Sequence, residues 1–258
     1  MTDQGYQASF LGVPVPLPKV KPSGSPSAVL KHTHFSVVMS TARHLANYSA
    51  FNFDSTTKKT AGERPFGPDP NYHDIQVNVQ SYANNDWDRG HLAALNFVQW
   101  GSNEVADVAA RQSCYMTNVA PQHVNMHTTR GREWSIVEQS FVLLAQTKAL
   151  GGKLSGFTGC VFSDSDRVFS GPGPTRFDSV TKIPQFYWYV GFYIDRVTRK
   201  LVVKAFKIQN YAIRGANQFD FDPNVSLQVR LADIERITAV RFPAELHTAE
   251  MAAVNPSL

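Results

Sequence analysis

The stretch Asn84-Asn85-Asp86-Trp87-Asp88-Arg89-Gly90-His91-Leu92-Ala93 (NNDWDRGHLA) decides how the rest of the chain is read. Asn84-Asn85 is a turn signal, because asparagine side chains bond nearby backbone and tolerate left-handed φ. Behind it stand two charged residues, a glycine and a histidine in a row. Such a run builds no core; it is either a surface loop or a site. Histidine is the side chain best suited to take a proton near neutral pH. Arg89 beside it carries a planar fork of donors that can clamp a phosphate. Gly90 lets the backbone turn so that both side chains reach one place.

A second stretch, MTNVAPQHVNMHTTRGREWSIVEQ (116–139), completes a constellation. Asn118, Asn125 and His127 are candidate metal ligands or orienting groups. Glu138 follows Trp134 by one helical turn, so the two share a face. Base, phosphate clamp and metal site together describe phosphodiester cleavage. His91 would activate water while a divalent ion stabilises charge on the phosphate and the leaving oxygen. Taken singly these residues are ordinary, since a loop histidine is usually solvated and a helical glutamate usually marks a wet face.

The chain around these stretches has 258 residues, 43% of them hydrophobic, which suffices for a real core. The net charge of +4 alone says little about partners. Residues 1–30 are rich in Pro, Gly and Ser and read as an extended N-terminal arm, followed by a single domain over 31–250. HTHFSVVMS (32–40) and the alternating IQVNVQSY (75–82) read as strands. EVADVAARQSCYMTNVA (104–120) reads as a helix. EWSIVEQSFVLLAQTKAL (133–150) is the clearest helix, with Ile136, Val137, Phe141, Leu144 and Ala145 as its stripe and Gly151-Gly152 as its stop. KLSGFTGCVF, QFYWYVGFYID and KLVVKAFKIQ read as core strands split by the loop SGPGPTRFDSV, and SLQVRLADIERITAV supplies a short closing helix. The expected fold is α/β in the α+β sense: a central, mostly antiparallel β-sheet flanked by helices. Cys114 and Cys160 are too few for a zinc ribbon and read as buried thiols or one disulfide. No apolar run is long enough to span a bilayer, and the first residues lack the pattern of a standard signal peptide.

DRGHLA, then TNVAPQ, then Trp134 and Glu138 resemble the DNA/RNA non-specific endonucleases with a ββα-metal site, a family that includes secreted bacterial nucleases and mitochondrial endonuclease G. FLGVPVPLP, HFSVVMSTARHLANYSAFNFD, FTGCVF, IPQFYWYV and ADIERITAVRFP follow in that family's order, so the similarity runs over roughly residues 10–247. The resemblance implies that His91 is the general base, that Arg89 contacts phosphate and that Glu138 holds water at the metal. It makes Asn118 an orienting residue behind the site and Asp88 a brace for the turn. Arg64, in GERPFG, matches an upstream arginine that stabilises the pentavalent phosphate. Arg130 and Arg132 join Arg64 and Arg89 as candidate contacts to the nucleic-acid backbone. The implied cofactor is a divalent metal, Mg2+ first, with Mn2+ or another transition ion admitted. The implied partners are DNA and RNA, with an inhibitor or immunity protein and a homodimer as further options and no membrane. Delivery by a dedicated secretion system and an antibacterial toxin role fit the same reading.

One departure concerns the metal. The family's asparagine ligand follows PQ by a few residues and precedes the Trp by four. Here the stretch is about three residues longer: counting from Gln122 reaches His127, counting back from Trp134 reaches Arg130, and Asn125 lies two residues before His127. An amide oxygen suits Mg2+ and an imidazole suits Mn2+, Zn2+ or Ni2+, so both Asn125 and His127 stand as candidates. The rival reading is a catalytically weak nucleic-acid-binding protein on a nuclease fold.

Overall fold

The computed structural model describes residues 4–21, 27–60, 62, 64–127, 133–146, 151–168, 181–214, 218–220 and 227–253. The strands that carry the architecture are β1 (Ser27–Lys31), β2 (Phe35–Ser40), β3 (Leu45–Asp54), β4 (Trp87–His91), β5 (Val119–His123), β6 (Lys153–Val161), β7 (Phe186–Ile194), β8 (Leu201–Gln209) and β9 (Leu227–Val229). Seven of them form one sheet in the order β9-β8-β7-β6-β3-β2-β1, with every neighbouring pair antiparallel. β4 and β5 form a separate two-stranded ladder. The principal helices are α1 (Asn103–Ser113), α2 (Glu133–Gln146), α3 (Leu231–Ile237) and α4 (Ala244–Ala253).

The apolar run FYWYVGFYI explains the layering. Successive side chains of a strand point to opposite faces, and both faces of β7 are covered. Tyr187 and Tyr189 join the cluster that holds Phe97, Ala109, Trp134, Val137 and Phe141. Trp188, Val190 and Phe192 join the cluster of Leu231, Ile234, Leu246 and the arm residues Tyr6 and Val15. The sheet therefore lies between α1 and α2 on one face and α3, α4 and the arm on the other. Gly191 sets the distance of α2 from the sheet. A Cβ there would come within 2.1 Å of the Phe141 ring; without one, Phe141 lies flat on Tyr189 with centroids 5.0 Å apart. That contact fixes the helix carrying Trp134 and Glu138.

The residues read as an arm are held at several points. Tyr6 donates its hydroxyl to the Val15 carbonyl at 2.8 Å, Lys19–Val20 pairs with Val240–Arg241, and β1 begins at Ser27. Three expectations are corrected. IQVNVQSY is no strand: His73–Ile75 and Val79–Tyr82 are 3-10 turns. Asn78 caps the second turn by accepting from Gln80 N, and the Gln76 amide bonds the backbone of Asp69 and Tyr72, so side chains replace ladder partners. The helix over 104–120 ends at Ser113, and Met116–Asn118 is a 3-10 turn that feeds β5. The helix expected in SLQVRLADIERITAV is present as α3, but the first part of that stretch is strand β9, and a further helix, α4, follows Pro243, whose carbonyl accepts from Leu246 N. The loop SGPGPTRFDSV lies outside the described residues. Cys114 and Cys160 are both free and buried. No helix among the described residues is long and apolar enough to cross a membrane.

Candidate active site

The Asn84-Asn85 turn starts the site. Asn84 takes a left-handed φ of 56°, and the Asn85 side chain accepts from Trp87 N at 3.0 Å while donating to the Ser81 carbonyl at 2.9 Å. The chain then runs straight into β4, so DRGH is strand rather than loop. Its register against β5 pairs Asp88 with Gln122, Arg89 with Pro121, Gly90 with Ala120 and His91 with Val119. The two blocks singled out in the sequence are thus neighbouring strands. Along β4, Trp87 and Gly90 are buried, Asp88 and His91 are half-buried and Arg89 is exposed. Gly90 is required by proximity: a Cβ there would fall 2.0 Å from Cδ of the fully buried Gln122.

Asn118 locks the end of β4 in place. Its Oδ1 accepts from Ala93 N at 2.9 Å and from Ser49 Oγ at 2.8 Å. Its Nδ2 donates to the carbonyls of Ala93 and Ser113, both at 2.9 Å. Leu92 N donates to the Asn118 carbonyl, and Thr158 Oγ1 donates to the Leu92 carbonyl at 2.6 Å. The two residues after His91 are therefore tied to β3, β6 and the end of α1. The backbone that presents the imidazole has little freedom.

Around His91 the structure gathers residues from three separate segments. Cys114 Sγ lies 3.5 Å from His91 Nε2. The Phe66 ring sits 5.0 Å from the imidazole and 4.9 Å beneath the Arg89 guanidinium. Arg64 donates to Asp107 on α1, which also takes a 2.8 Å bond from Arg111. Burial pushes the Cys114 thiol up, and Gly67, three residues after Arg64, donates its backbone N to the Cys114 carbonyl at 3.2 Å, which brings the segment of Arg64 and Phe66 beside Cys114. His91, Arg89 and Arg64 thus share one locality. Cys114, Phe66 and Asp107 belong to it as well. They were not singled out in the sequence, because nothing in a chain distance of 23 residues signals that Cys114 meets His91.

The second half of the site follows β5. The one-turn helix Val124–His127 lies against β4, β5 and α2. Asn125 is exposed on it, and its backbone N donates to His123 Nδ1 at 3.1 Å. His127 closes this turn by its backbone. On α2 the Trp134 indole Nε1 donates to Glu138 Oε1 at 2.7 Å. Trp134 is 1% exposed and edge-on to Tyr187 and Tyr189, so it holds the half-buried carboxylate in a fixed direction. Arg130 and Arg132 lie outside the described residues. Among the described residues no group of three or more His, Cys, Asp and Glu side chains is placed to hold a metal ion.

The sheet lies between helical layers, and the two-stranded ladder and α2 carry the histidine, arginine and glutamate singled out in the sequence. Residues 16–249 match the DNA/RNA non-specific endonuclease family, and the chain belongs to it. It is 28% identical over 280 residues to the uncharacterized protein y4fB of Sinorhizobium fredii (strain NBRC 101917 / NGR234). That match takes in 96% of this chain and 40% of the relative, so the chain spans well under half of that protein's length. Among solved structures it is similar to a chain of the crystal structure of the EndoG/EndoGI complex, which concerns the mechanism of EndoG inhibition. There the TM-score is 0.64 at 18% identity, over 85% of this chain and 86% of that one. At that identity the likeness establishes the fold.

Proposed function

We propose that this protein is a divalent-metal-dependent endonuclease that hydrolyses phosphodiester bonds of DNA and RNA with little sequence preference. The observation that carries the reading is the cluster at the end of β4: a half-buried His91, held by the Asn118 network, with Arg89 stacked on the Phe66 ring that also meets the imidazole. In this reading His91 takes the proton of the attacking water. Arg89 receives the phosphate oxygens, and Arg64 turns toward them from Asp107 as the phosphate arrives. Arg130 and Arg132 extend these backbone contacts, and Asp88 braces the strand. Phosphates carry no base identity, so weak sequence preference follows.

The donor set suits a hard cation. The Glu138 carboxylate and the exposed Asn125 amide both offer oxygen, the donor that Mg2+ and Mn2+ take best; His127, two residues further along, is the alternative ligand by sequence. If these residues hold a divalent cation, it would supply positive charge to stabilise the charge developing on the phosphate. The Trp134 indole holds the Glu138 carboxylate by its 2.7 Å bond, which would limit its motion as a ligand. The same reading includes an inhibitor protein that covers this cleft, as the EndoG/EndoGI pairing suggests, a homodimer, and an antibacterial toxin role.

Incubation with supercoiled plasmid and with structured RNA tests the reading. Mg2+ or Mn2+ should give relaxed and then linear DNA and shortened RNA, and a chelator should stop both. Nucleic acid that is bound but intact with every divalent salt would favour the catalytically weak binding protein.

A further inference from the structure

Toward the N-terminal end of α1, away from His91, lies a cavity of about 380 Å3 that the proposed chemistry does not use. Small-ligand pockets run from roughly 300 to 1,000 Å3, so it is large enough for one planar ring system. Val105 and Val108 of α1 form one wall. At 1.5 Å rise per residue, Val105 and Cys114 are roughly 13 Å apart along the helix, so this is a separate place.

Three rings form its aromatic side. His34 lies nearly flat on Trp100, with centroids 3.5 Å apart and planes at 10°. Phe10 leans on the same indole at 5.6 Å. The platform is braced: Trp100 Nε1 donates to the Asn52 carbonyl at 2.8 Å, and His34 Nδ1 lies 2.8 Å from the Val98 carbonyl. A carbonyl only accepts, so Nδ1 carries the proton and Nε2 is an acceptor in the neutral ring. Burial lowers the pKa of His34, which keeps it neutral at pH 7. His34 also adopts a φ of 70°, a strained backbone for a side chain of this size and the kind that gathers at binding sites.

The charge pattern names the ligand class. No acidic, lysine or arginine side chain lines the cavity, all of whose lining residues are described. That favours an uncharged aromatic ring and disfavours a bare phosphate. At its edge the charge reverses. Lys153 Nζ stands over the Phe10 ring at 5.0 Å, and Lys153, Arg196 and Arg199 line an adjoining cleft with Leu11. Two carboxylates lie nearby, each with one oxygen held in its own turn: Asp195 Oδ1 accepts from Val197 and Thr198, and Asp54 Oδ1 from Thr56; the three cations outnumber them. An aromatic recess beside a cationic track is how proteins stack unpaired bases and hold their phosphates.

We propose that this recess and cleft form a second nucleic-acid site, which stacks one unpaired base against the Trp100–His34 platform and holds the flanking phosphates on Lys153, Arg196 and Arg199. The choice of ligand rests on the nuclease reading; the binding itself needs no cleavage. Such a site would retain single-stranded ends or loops while His91 acts elsewhere on the same strand.

Trp100 reports on the site. It is half-buried, whereas Trp87, Trp134 and Trp188 are at most 3% exposed, so a base stacked there quenches the accessible tryptophan. The experiment titrates His91→Ala protein, in chelator, with the octamer (dT)8, with deoxyadenosine and with an eight-base-pair duplex. Quenching by the octamer and the nucleoside is expected, with the duplex at least tenfold weaker than (dT)8. Val105→Phe, which fills the recess, and Phe10→Ala, which opens it, should each weaken (dT)8 at least tenfold, with thermal melting to confirm that both variants fold. Lys153→Ala with Arg196→Ala should weaken (dT)8 and leave deoxyadenosine unchanged. Absence of quenching by both ligands, equal binding of duplex, or unchanged (dT)8 affinity in the folded variants overturns the proposal. So does quenching by N-acetylphenylalaninamide, which absorbs negligibly at 295 nm, in the absence of quenching by the nucleoside; that result would mark a peptide site. Plasmid cleavage by the unaltered protein is read separately, so its failure would remove the nuclease reading while these titrations remain interpretable.

Discussion

Gly90→Ala tests how β4 and β5 fit together. A Cβ at position 90 falls 2.0 Å from Gln122 Cδ, 2.1 Å from Oε1 and 2.4 Å from Cγ, where carbon atoms at rest stand about 3.5–4.0 Å apart. Gln122 is fully buried and has no route into water. Gly90 is absent from the positive-φ glycines, so alanine brings no backbone strain and the overlap is the whole effect. Overpacking of this kind costs about 1–3 kcal/mol. Neither amide atom of Gln122 has a hydrogen-bond partner among the described residues, so its side chain gives way more readily than an anchored one. That favours the lower half of the range, about 1–2 kcal/mol. For a chain of this size each kcal/mol moves Tm by roughly 2–4 °C, so Tm should fall by roughly 2–8 °C. Calorimetry of Gly90→Ala, Gln122→Ala and the double variant completes the test. Because the clash needs both side chains, the double variant should be at least about 1 kcal/mol more stable than the sum of the single effects predicts. Wild-type Tm for Gly90→Ala, or strict additivity in the double variant, would refute the packing argument.

Three further predictions follow from the site and its surroundings. Asn118→Ala leaves Ala93 N and Ser49 Oγ without their buried partner, which should lower stability by about 2–4 kcal/mol and reduce turnover in protein that remains folded; denaturant melts and plasmid kinetics check the two effects. Trp134→Phe removes the N–H that binds Glu138 along with part of the buried ring, so in protein verified as folded by melting it should raise the metal concentration needed for half-maximal activity, and by less than Glu138→Gln does. Burial raises the thiols of Cys160 and Cys114 above their ordinary value of 9.0. The folded state then holds protons that the unfolded state releases, so this contribution is fully present below pH 9 and is lost as pH rises through the folded values. Urea midpoints at pH 8 and pH 10 should show the loss, and Cys160→Ala should lessen it.

The parts of the fold written as period and length were legible. The stripe from Ile136 to Ala145 gave α2, the apolar runs gave β6 and β7, which are buried on both faces, and the mixed run gave β8, where Val203 and Ala205 are buried and Lys204 between them is not. IQVNVQSY misled because its alternation is real, while Gln76 and Asn78 divert the backbone into turns by side-chain bonds that no periodicity displays. The site was legible as residues and hidden as geometry. DRGH and TNVAPQ were recognisable blocks, but their pairing as β4 and β5, with Gly90 against Gln122, depends on register. The gathering of Phe66, Cys114 and Asp107 around His91 and Arg64 is a product of long-range packing, and no local signal carries it. Arg64 shows the same limit: its position in GERPFG was visible, its bond to Asp107 was not.

The proposed hydrolysis depends most on the imidazole at position 91. Cleavage of plasmid by His91→Ala, measured under single-turnover conditions at saturating Mg2+ and with the fold verified by melting, addresses it directly. Loss of a positioned general base should slow the reaction by roughly 10²–10⁴-fold while nucleic-acid binding persists. A folded His91→Ala protein that cleaves at the unaltered rate would contradict the account.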